Sequence, residues 1–325
     1  MTNATPDKKY LGVIPAFYAC YDDVGGVSPS RTQALARHLL AQGVQGLYVN
    51  GSSGECIYLS VEERKQILDS VMEAVGGKMT IIAHVAANST RDSMELARHA
   101  ERLGVDAIAA IPPIYFRLPE HAIAKYWNDI SSAAPNTDFV IYNIPQLAGV
   151  ALTLPLLREM MNNPRVKAVK NSSMPVYDIQ QFVAAGEGRI SVLNGPDEQF
   201  VAGRLMGASG GIGGTYAAMP GLFLKADQLV ADGAFEQAQA LQFDICRIIE
   251  ALCACHGNMY AVIKELLRRK GVHCGSVRAP LAPRSSHDRL AQQAPRPHDE
   301  DHRHQHGRGE DREARKDQDA EGEHL

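Results

Sequence analysis

One lysine of the sequence stands where an amine could act as a nucleophile. Lys170 lies near the end of the apolar segment Val166–Asn171, and in a strand it would share one side with Val166 and Ala168. If that side faces a protein interior, loss of water lowers the pKa of the amine and keeps it neutral, which is the form that attacks a ketone to give an imine. Two structural alternatives stay open. The side chain could extend to the rim of the fold, or it could pair with Glu55.

A short loop of small residues offers a place for an anion. In Gly51-Ser-Ser-Gly54, the backbone N–H groups and the hydroxyls of Ser52 and Ser53 could hold a carboxylate. The same composition is common in simple turns, so the loop alone does not establish a site. Tyr142 and Tyr115 end two later apolar segments, where a phenol could pass protons or could simply be half-buried.

The sequence indicates no metal site. His84 stands alone at the end of an apolar segment, and no cluster of His, Asp and Glu follows the other segments. We interpret it as a structural histidine with satisfied hydrogen bonds, and we predict neither a metal nor a cofactor. Small or polar residues do follow two further segments, in Asn194-Gly-Pro-Asp-Glu198 and in the glycine-rich residues 210–214. Glycine there would let a ligand approach the backbone closely.

The elements that must carry these residues alternate between strand and helix. Apolar strand-like segments and amphipathic helical segments recur in pairs of roughly 20–30 residues up to about residue 233. Helix starts include the cap Ser28 and a capping box of Ser60 and Glu63, and Gly104 and Gly186 mark helix ends. The predicted strands are residues 11–18, 46–50, 80–85, 107–111, 139–143, 166–171, 190–194 and 210–213.

Eight such pairs predict an α/β fold, a (β/α)8 TIM barrel over residues 1–233. An open doubly wound sheet is less favoured, because no GxGxxG sequence follows the first strand. The carboxyl ends of barrel strands lie on one face, which would bring the candidate residues together. Residues 234–283, with helices predicted at 235–255 and 258–270, would form a C-terminal helical extension.

The composition is that of a globular protein. Of 325 residues, 45% are hydrophobic and 22% are charged, which argues against collagen-like and largely disordered chains. No apolar stretch approaches the ~18 residues of a membrane helix, no signal peptide is recognisable, and a net charge of −4 gives no basic field for nucleic acid. We therefore predict a cytoplasmic protein without membrane or nucleic-acid partners. Six cysteines without paired spacing predict buried thiols.

Residues 284–325 differ sharply from the rest of the chain. They are rich in Asp, Glu, Arg and His and contain no Val, Ile, Met, Phe, Tyr, Trp or Cys. Such a segment cannot bury enough apolar surface to offset the entropy of ordering, so we predict a disordered polar tail. Because the composition changes abruptly after Pro283, we interpret the tail as the product of a shift in reading frame.

Together, these motifs resemble those of the dihydrodipicolinate synthase and N-acetylneuraminate lyase family of pyruvate-dependent class I aldolases. The resemblance implies that Lys170 forms a Schiff base with pyruvate and that Tyr142 moves the proton. It also implies that Ser52 and Ser53 hold the pyruvate carboxylate. It spans about residues 10–283 and rests on Gly51-Ser-Ser-Gly-Glu55, Tyr142-Asn-Ile-Pro145, Lys170 and Gly211-Ile-Gly-Gly-Thr215.

The same resemblance implies an assembly and a set of substrate contacts. Tyr115 would reach across from a neighbouring subunit of a homotetramer and complete a proton relay with Ser53. Asp197 and Glu198 would bind hydroxyls of a sugar chain. The full set of expected substrate-binding residues is Ser52, Ser53, Ser172, Gly195, Asp197, Glu198, Ile212 and Gly214.

Leu147 distinguishes two branches of this family. Synthases that condense pyruvate with aspartate semialdehyde carry an arginine at this position, where it binds the second carboxylate. The sequence therefore looks closer to the lyases, which implies cleavage of N-acetylneuraminate to pyruvate and N-acetylmannosamine. Ser172, Pro196 and Gly214 depart from the lyase pattern of threonine, an aromatic residue and serine. The alternatives are a 2-keto-3-deoxygluconate-type aldolase, a dihydrodipicolinate synthase and a non-catalytic pyruvate-binding protein.

Overall fold

Eight parallel strands form the centre of the fold. The computed structural model describes residues 8–284. The strands are β1 (Gly12–Pro15), β2 (Gly46–Val49), β3 (Thr80–His84), β4 (Ala107–Ala110), β5 (Asp138–Asn143), β6 (Val166–Asn171), β7 (Ser191–Asn194) and β8 (Gly210–Gly213). Consecutive strands pair from β2 to β8, and β8 pairs with β1. A bridge between Ala16 and Tyr48 joins the two remaining edges. The (β/α)8 barrel prediction is confirmed.

The first strand is shorter than the sequence predicts. β1 ends at Pro15 because the next residues turn from β8 toward β2, where the N–H of Phe17 donates to the carbonyl of Tyr48 at 2.9 Å. The other predicted strands agree with the observed ones to within one residue at each end. The sequence therefore predicts correctly the strand ends that carry the candidate site residues.

Helices pack around the strands, and their starts follow the sequence signals. They are α1 (Pro29–Ala41), α2 (Val61–Val75), α3 (Thr90–Leu103), α4 (Glu120–Ser132), α5 (Pro145–Ala148), α6 (Leu154–Met160), α7 (Val176–Gly186), α8 (Phe200–Leu205), α9 (Pro220–Ala231), α10 (Phe235–Cys253) and α11 (Met259–Arg269). Ser28 caps α1, and the capping box of Ser60 and Glu63 opens α2. Gly104 ends α3 with φ of 75°. Gly186 also marks a helix end, as the last residue of α7, but the expectation that it is the C-terminal cap is wrong, because Glu187 takes the left-handed cap conformation.

The strands bury one side inside the barrel and the other against the helices. In β6, Ala168 belongs to the interior cluster, whereas Val166 packs in the outer cluster with the helices. The pairing of β5 with β6 slips between these two residues, which leaves Lys167 in a bulge. The prediction that Val166 shares the interior side with Lys170 is therefore wrong. The extra residue in the bulge reverses the side of the strand on which the side chain of Val166 lies.

Helices α10 and α11 continue beyond the eighth strand–helix pair, and α10 packs against α9. Lys264 of α11 donates to Glu55 Oε1 at 2.6 Å, and both side chains are buried. The other carboxylate oxygen accepts the backbone N–H of Arg278 at 2.8 Å. Glu55 thus ties the loop after β2 to the C-terminal part of the chain. The division of the chain after residue 233 stays a prediction.

The predicted polar tail lies outside the described residues, apart from Arg284. The shift of reading frame therefore stays a prediction. No helix within residues 8–284 is long and apolar enough to cross a membrane. No disulfide joins the six cysteines. The prediction of buried thiols is wrong for Cys253, which is exposed, and for Cys56 and Cys246, which are half-buried.

The buried pair of Glu55 and Lys264 should have a large effect on stability. We expect Lys264→Met to lower the free energy of unfolding by about 3–5 kcal/mol, because it leaves a buried carboxylate without its cation. Lys125→Met removes an exposed pair with Asp129 and should cost less than about 1 kcal/mol. Urea unfolding of both variants measures the difference, and equal losses would contradict the prediction.

Candidate active site

Lys170 lies inside the barrel at the carboxyl end of β6, with 4% of the residue exposed. Its Nζ lies 4.1 Å from the ring centroid of Tyr48 and 4.0 Å from that of Tyr142. Burial lowers the pKa of the amine to about 7, and the carboxylate of Asp197 acts in the opposite direction. A large fraction of the amine is then neutral near neutral pH. Both alternatives for Lys170 are wrong, because the side chain is buried and Glu55 is bound to Lys264 instead.

Tyr142 stands beside Lys170 in the neighbouring strand, where the two are register partners. Burial raises the pKa of the phenol to about 12, while hydrogen bonds with the side chains of Ser52 and Ser172 act in the opposite direction. The phenol is therefore protonated at neutral pH. Two hydroxyls beside it provide a route for its proton to a ligand at Lys170.

The loop after β2 carries a set of polar groups suited to an anion, called the anion pocket below. A tight turn closes it, since the N–H groups of Gly54 and Glu55 donate to the carbonyls of Gly51 and Ser52 at 3.0 and 2.9 Å. Within the described residues, the N–H groups of Ser52 and Ser53 have no hydrogen-bond acceptor. Two available N–H groups beside two hydroxyls can bind a carboxylate.

Ser53 is buried among side chains from distant parts of the sequence. Its hydroxyl lies within hydrogen-bonding reach of the phenols of Tyr18 and Tyr260. The Tyr18 hydroxyl donates to the carbonyl of Gly214 at 2.5 Å, and the rings of Tyr18 and Tyr260 meet edge to face at 5.7 Å. Because Tyr260 belongs to α11, the C-terminal helices contribute directly to the site.

Asp197 presents one occupied and one available oxygen. Its Oδ2 accepts the backbone N–H of Thr215 at 2.7 Å and the Thr215 hydroxyl at 2.6 Å. Its Oδ1 is buried without a hydrogen-bond partner among the described residues. Burial raises the pKa of this carboxyl to about 6, and the hydrogen bonds from Thr215 act in the opposite direction. A ligand hydroxyl would satisfy Oδ1.

The remaining predicted contacts lie around Asp197 and Ser172. Gly195 packs so closely that an added Cβ would lie 2.0 Å from the Ser172 hydroxyl. Ile212 is buried in β8 on the interior side. Glu198 is exposed one residue after Asp197, so its carboxylate is open to solvent.

Two residues singled out by the sequence do not join this group. Tyr115 is 90% exposed, with φ of 83°, and its ring contacts Phe116. Leu147 is 60% exposed in the short helix α5. In the described chain neither side chain lies in the buried cluster around Lys170.

Sequence reasoning missed three tyrosines and described His84 incompletely. His84 Nδ1 pairs with the carbonyl of Asn50 at 2.9 Å, but its Nε2 has no partner in the described part of the chain. Tyr48 carries a weak signal, because it is a large aromatic residue in a strand that is predicted to lie inside the barrel. Tyr18 ends the first predicted strand, a signal that the sequence analysis did not use. Tyr260 carries none, since it reaches Ser53 from the C-terminal helices.

The pKa of Lys170 sets an expected pH dependence. We expect kcat/KM for a ketone substrate to fall as pH drops through about 7, because the ammonium form of Lys170 cannot attack a ketone. Asp197, with a pKa of about 6, should add a second decline below that point. A pH–rate profile from 5 to 9 checks both. Asp197→Asn should remove the lower decline and move the upper one to lower pH, because the carboxylate of Asp197 raises the pKa of Lys170. A flat profile of the wild-type chain down to pH 5.5 would rule out this assignment.

Comparisons with known proteins agree with this geometry. The model of the Dihydrodipicolinate synthetase family matches residues 9–294. An N-acetylneuraminate lyase of Mediterraneibacter gnavus is 62% identical over 275 residues, which is 84% of this chain and 87% of that relative. An N-acetylneuraminate lyase of Citrobacter koseri is 37% identical over 245 residues, covering 75% and 82% of the two chains.

A solved structure shows the same likeness in three dimensions. The wild-type sialic acid aldolase of Ruminococcus gnavus superposes with a TM-score of 0.87 at 60% identity, over 88% of this chain and 96% of that one. The family match covers the strands, the loop after β2 and the helices that bring Tyr260 to the site. The chain belongs to the Dihydrodipicolinate synthetase family.

Proposed function

We propose that this chain is a Schiff-base-forming lyase that reversibly cleaves N-acetylneuraminate to pyruvate and N-acetylmannosamine. The observation that carries the proposal is the buried amine of Lys170, with its lowered pKa, beside Tyr142 and the anion pocket of the loop after β2. The names of the relatives at 62% and 37% identity support the substrate.

Lys170 begins the reaction by attacking the C2 ketone of the open-chain sugar acid. Water leaves, and the resulting protonated imine withdraws electrons from the adjacent carbons. Tyr142, as general base, takes the proton of the C4 hydroxyl while its own phenolic proton passes through the neighbouring hydroxyls to water, the C3–C4 bond breaks, and the aldehyde departs. The enamine that remains takes a proton at C3, and hydrolysis releases pyruvate and the free amine. No step of this scheme uses a metal or cofactor.

The other residues orient the substrate. The N–H and hydroxyl groups of Ser52 and Ser53 bind its carboxylate, which places C2 toward Lys170. The available Oδ1 of Asp197 accepts a hydroxyl of the sugar chain, and the exposed Glu198 binds another. Ser172, Gly195, Ile212 and Gly214 complete the wall of the substrate site.

Leu147 argues against the synthase alternative. A neutral side chain cannot pair with the carboxylate of aspartate semialdehyde, so we expect condensation of that aldehyde with pyruvate to be negligible beside sugar-acid cleavage. A panel of N-acetylneuraminate, 2-keto-3-deoxygluconate, and aspartate semialdehyde with pyruvate tests this specificity. Comparable condensation rates would favour the synthase, faster cleavage of 2-keto-3-deoxygluconate would favour that aldolase, and no turnover would favour a pyruvate-binding protein.

Tyr115 supports an assembly in which subunits complete each other's sites. Tyr115 and Phe116 are large exposed aromatic residues beside a largely apolar hollow of about 600 Å³. Such a surface is typical of a subunit interface. In the proposed homotetramer, Tyr115 of a neighbouring subunit reaches Ser53 and joins the proton relay. Sedimentation and turnover of Tyr115→Ala test both parts of this proposal.

A further inference from the structure

Tyr48 has no part in the scheme above, yet its ring touches the reacting nitrogen. It lies fully buried in β2, inside the barrel. Lys170 Nζ lies 4.1 Å from its centroid, and the ring of Tyr142 meets that of Tyr48 at 79° with centroids 5.6 Å apart. Among the described residues, no hydrogen bond or ion pair holds Nζ. The amine therefore packs against two aromatic faces and not against a carboxylate.

Imine formation makes this arrangement useful. The amine must be neutral to attack, yet the imine that follows carries a positive charge on the same nitrogen. A carboxylate in contact would stabilise that charge, but it would also hold the amine in its protonated, unreactive form. An aromatic face attracts a cation through its quadrupole without carrying a net charge, so its effect on the free amine is milder.

We propose that Tyr48 is a catalytic residue whose ring face stabilises the positively charged imine at Lys170. The inference rests on the proposed function, since it requires Lys170 to form the imine. In that step the nitrogen lone pair forms a bond to C2, and the C2–O bond breaks. The oxygen leaves as water with one proton from the amine and one from solution, so the nitrogen keeps one proton and a positive charge.

The surroundings of Tyr48 fix its ring and leave its hydroxyl without a role. The hydroxyl has no hydrogen-bond partner within the described residues. An added Cβ at Gly51 would lie 2.7 Å from a ring carbon, so the loop that binds the carboxylate rests on the ring. This contact places the ring beside both the anion pocket and Lys170.

The test separates the electrostatics of the ring from its shape. Tyr48→Phe serves as the reference, and position 48 is then filled with phenylalanines carrying one, two and three fluorines, which weaken the negative potential of the face. Borohydride trapping with pyruvate is followed by mass spectrometry of the peptide that contains Lys170. We expect the pyruvate concentration for half-maximal trapping to rise with each fluorine, by roughly 10- to 30-fold over the series.

Matched substitutions keep the result interpretable. Phe223 is a buried ring that contacts Phe200 and Tyr216, and the same fluorinated residues there should produce no trend. Tyr48→Leu, which removes the face, should match or exceed the trifluorinated variant. A flat series at position 48, with normal trapping at Lys170, overturns the role of Tyr48. Absence of trapping at Lys170 in the wild-type chain overturns the proposed function itself.

Discussion

Lys170→Met should abolish cleavage, with kcat/KM reduced by roughly 10⁴–10⁶-fold, as is typical when a covalent nucleophile is removed. The reason is chemical, because methionine fills similar space but cannot form the imine that withdraws electrons from C3. In the wild-type chain, borohydride with pyruvate should add the mass of a reduced pyruvate adduct to Lys170 alone. Substrate turnover and peptide mass mapping provide the two measurements.

Lys167 provides the matched control for this experiment. It lies three residues earlier in the same strand, in the bulge, and its side chain is half-buried. Lys167→Met should keep near-native turnover and normal labelling of Lys170. Labelling of Lys167 or of any other lysine in the wild-type chain would show that the nucleophile has been assigned to the wrong residue.

Tyr142→Phe should lower kcat by ~10²–10⁴-fold, the usual contribution of a general acid–base group. Imine formation should survive, because the ring face against Lys170 is retained and only the hydroxyl is lost. The expected signature is therefore normal borohydride trapping with strongly reduced turnover. Single-turnover kinetics separate these two steps.

Tyr126→Phe is the control for removal of a buried phenol. Its hydroxyl donates to the carbonyl of Ala87 at 2.7 Å, in the outer layer of the barrel. That variant should lose some stability and keep its kcat. If Tyr142→Phe also keeps near-native kcat, another group must move the proton, and the hydroxyls around Ser53 become the candidates.

The alternation of strands and helices was enough to predict the barrel, because each element has its own periodic signal in the sequence. It also placed Lys170, Tyr142 and the loop after β2 at one end of the barrel, since all parallel strands end there. The bulge at Lys167 could not be predicted. Apolar and polar residues are mixed along β6, so no clean alternation marks the extra residue.

Contacts over long sequence separations were also beyond prediction. Lys264 and Tyr260 lie in an amphipathic helix whose local pattern says only that one side is buried. What that side meets depends on how α11 packs against the barrel. Nothing in the local sequence of the loop after β2 identifies the cation that Glu55 binds. Tyr115 is a different case, because its proposed role requires a second subunit.

The tie between Glu55 and the C-terminal helices has a consequence for biosynthesis. Glu55 is translated early, but Lys264 follows 209 residues later and Arg278 follows 223 residues later. At the usual rates of translation the first of these intervals lasts roughly 10–40 s. Until then, a nascent barrel would have to leave the carboxylate of Glu55 in water or bury it without Lys264. Ser53 would also lack its contact with Tyr260. The surroundings of Ser53 are therefore completed at the end of synthesis, so a polypeptide interrupted after α9 has all eight strands and Lys170 but only part of the proposed carboxylate site.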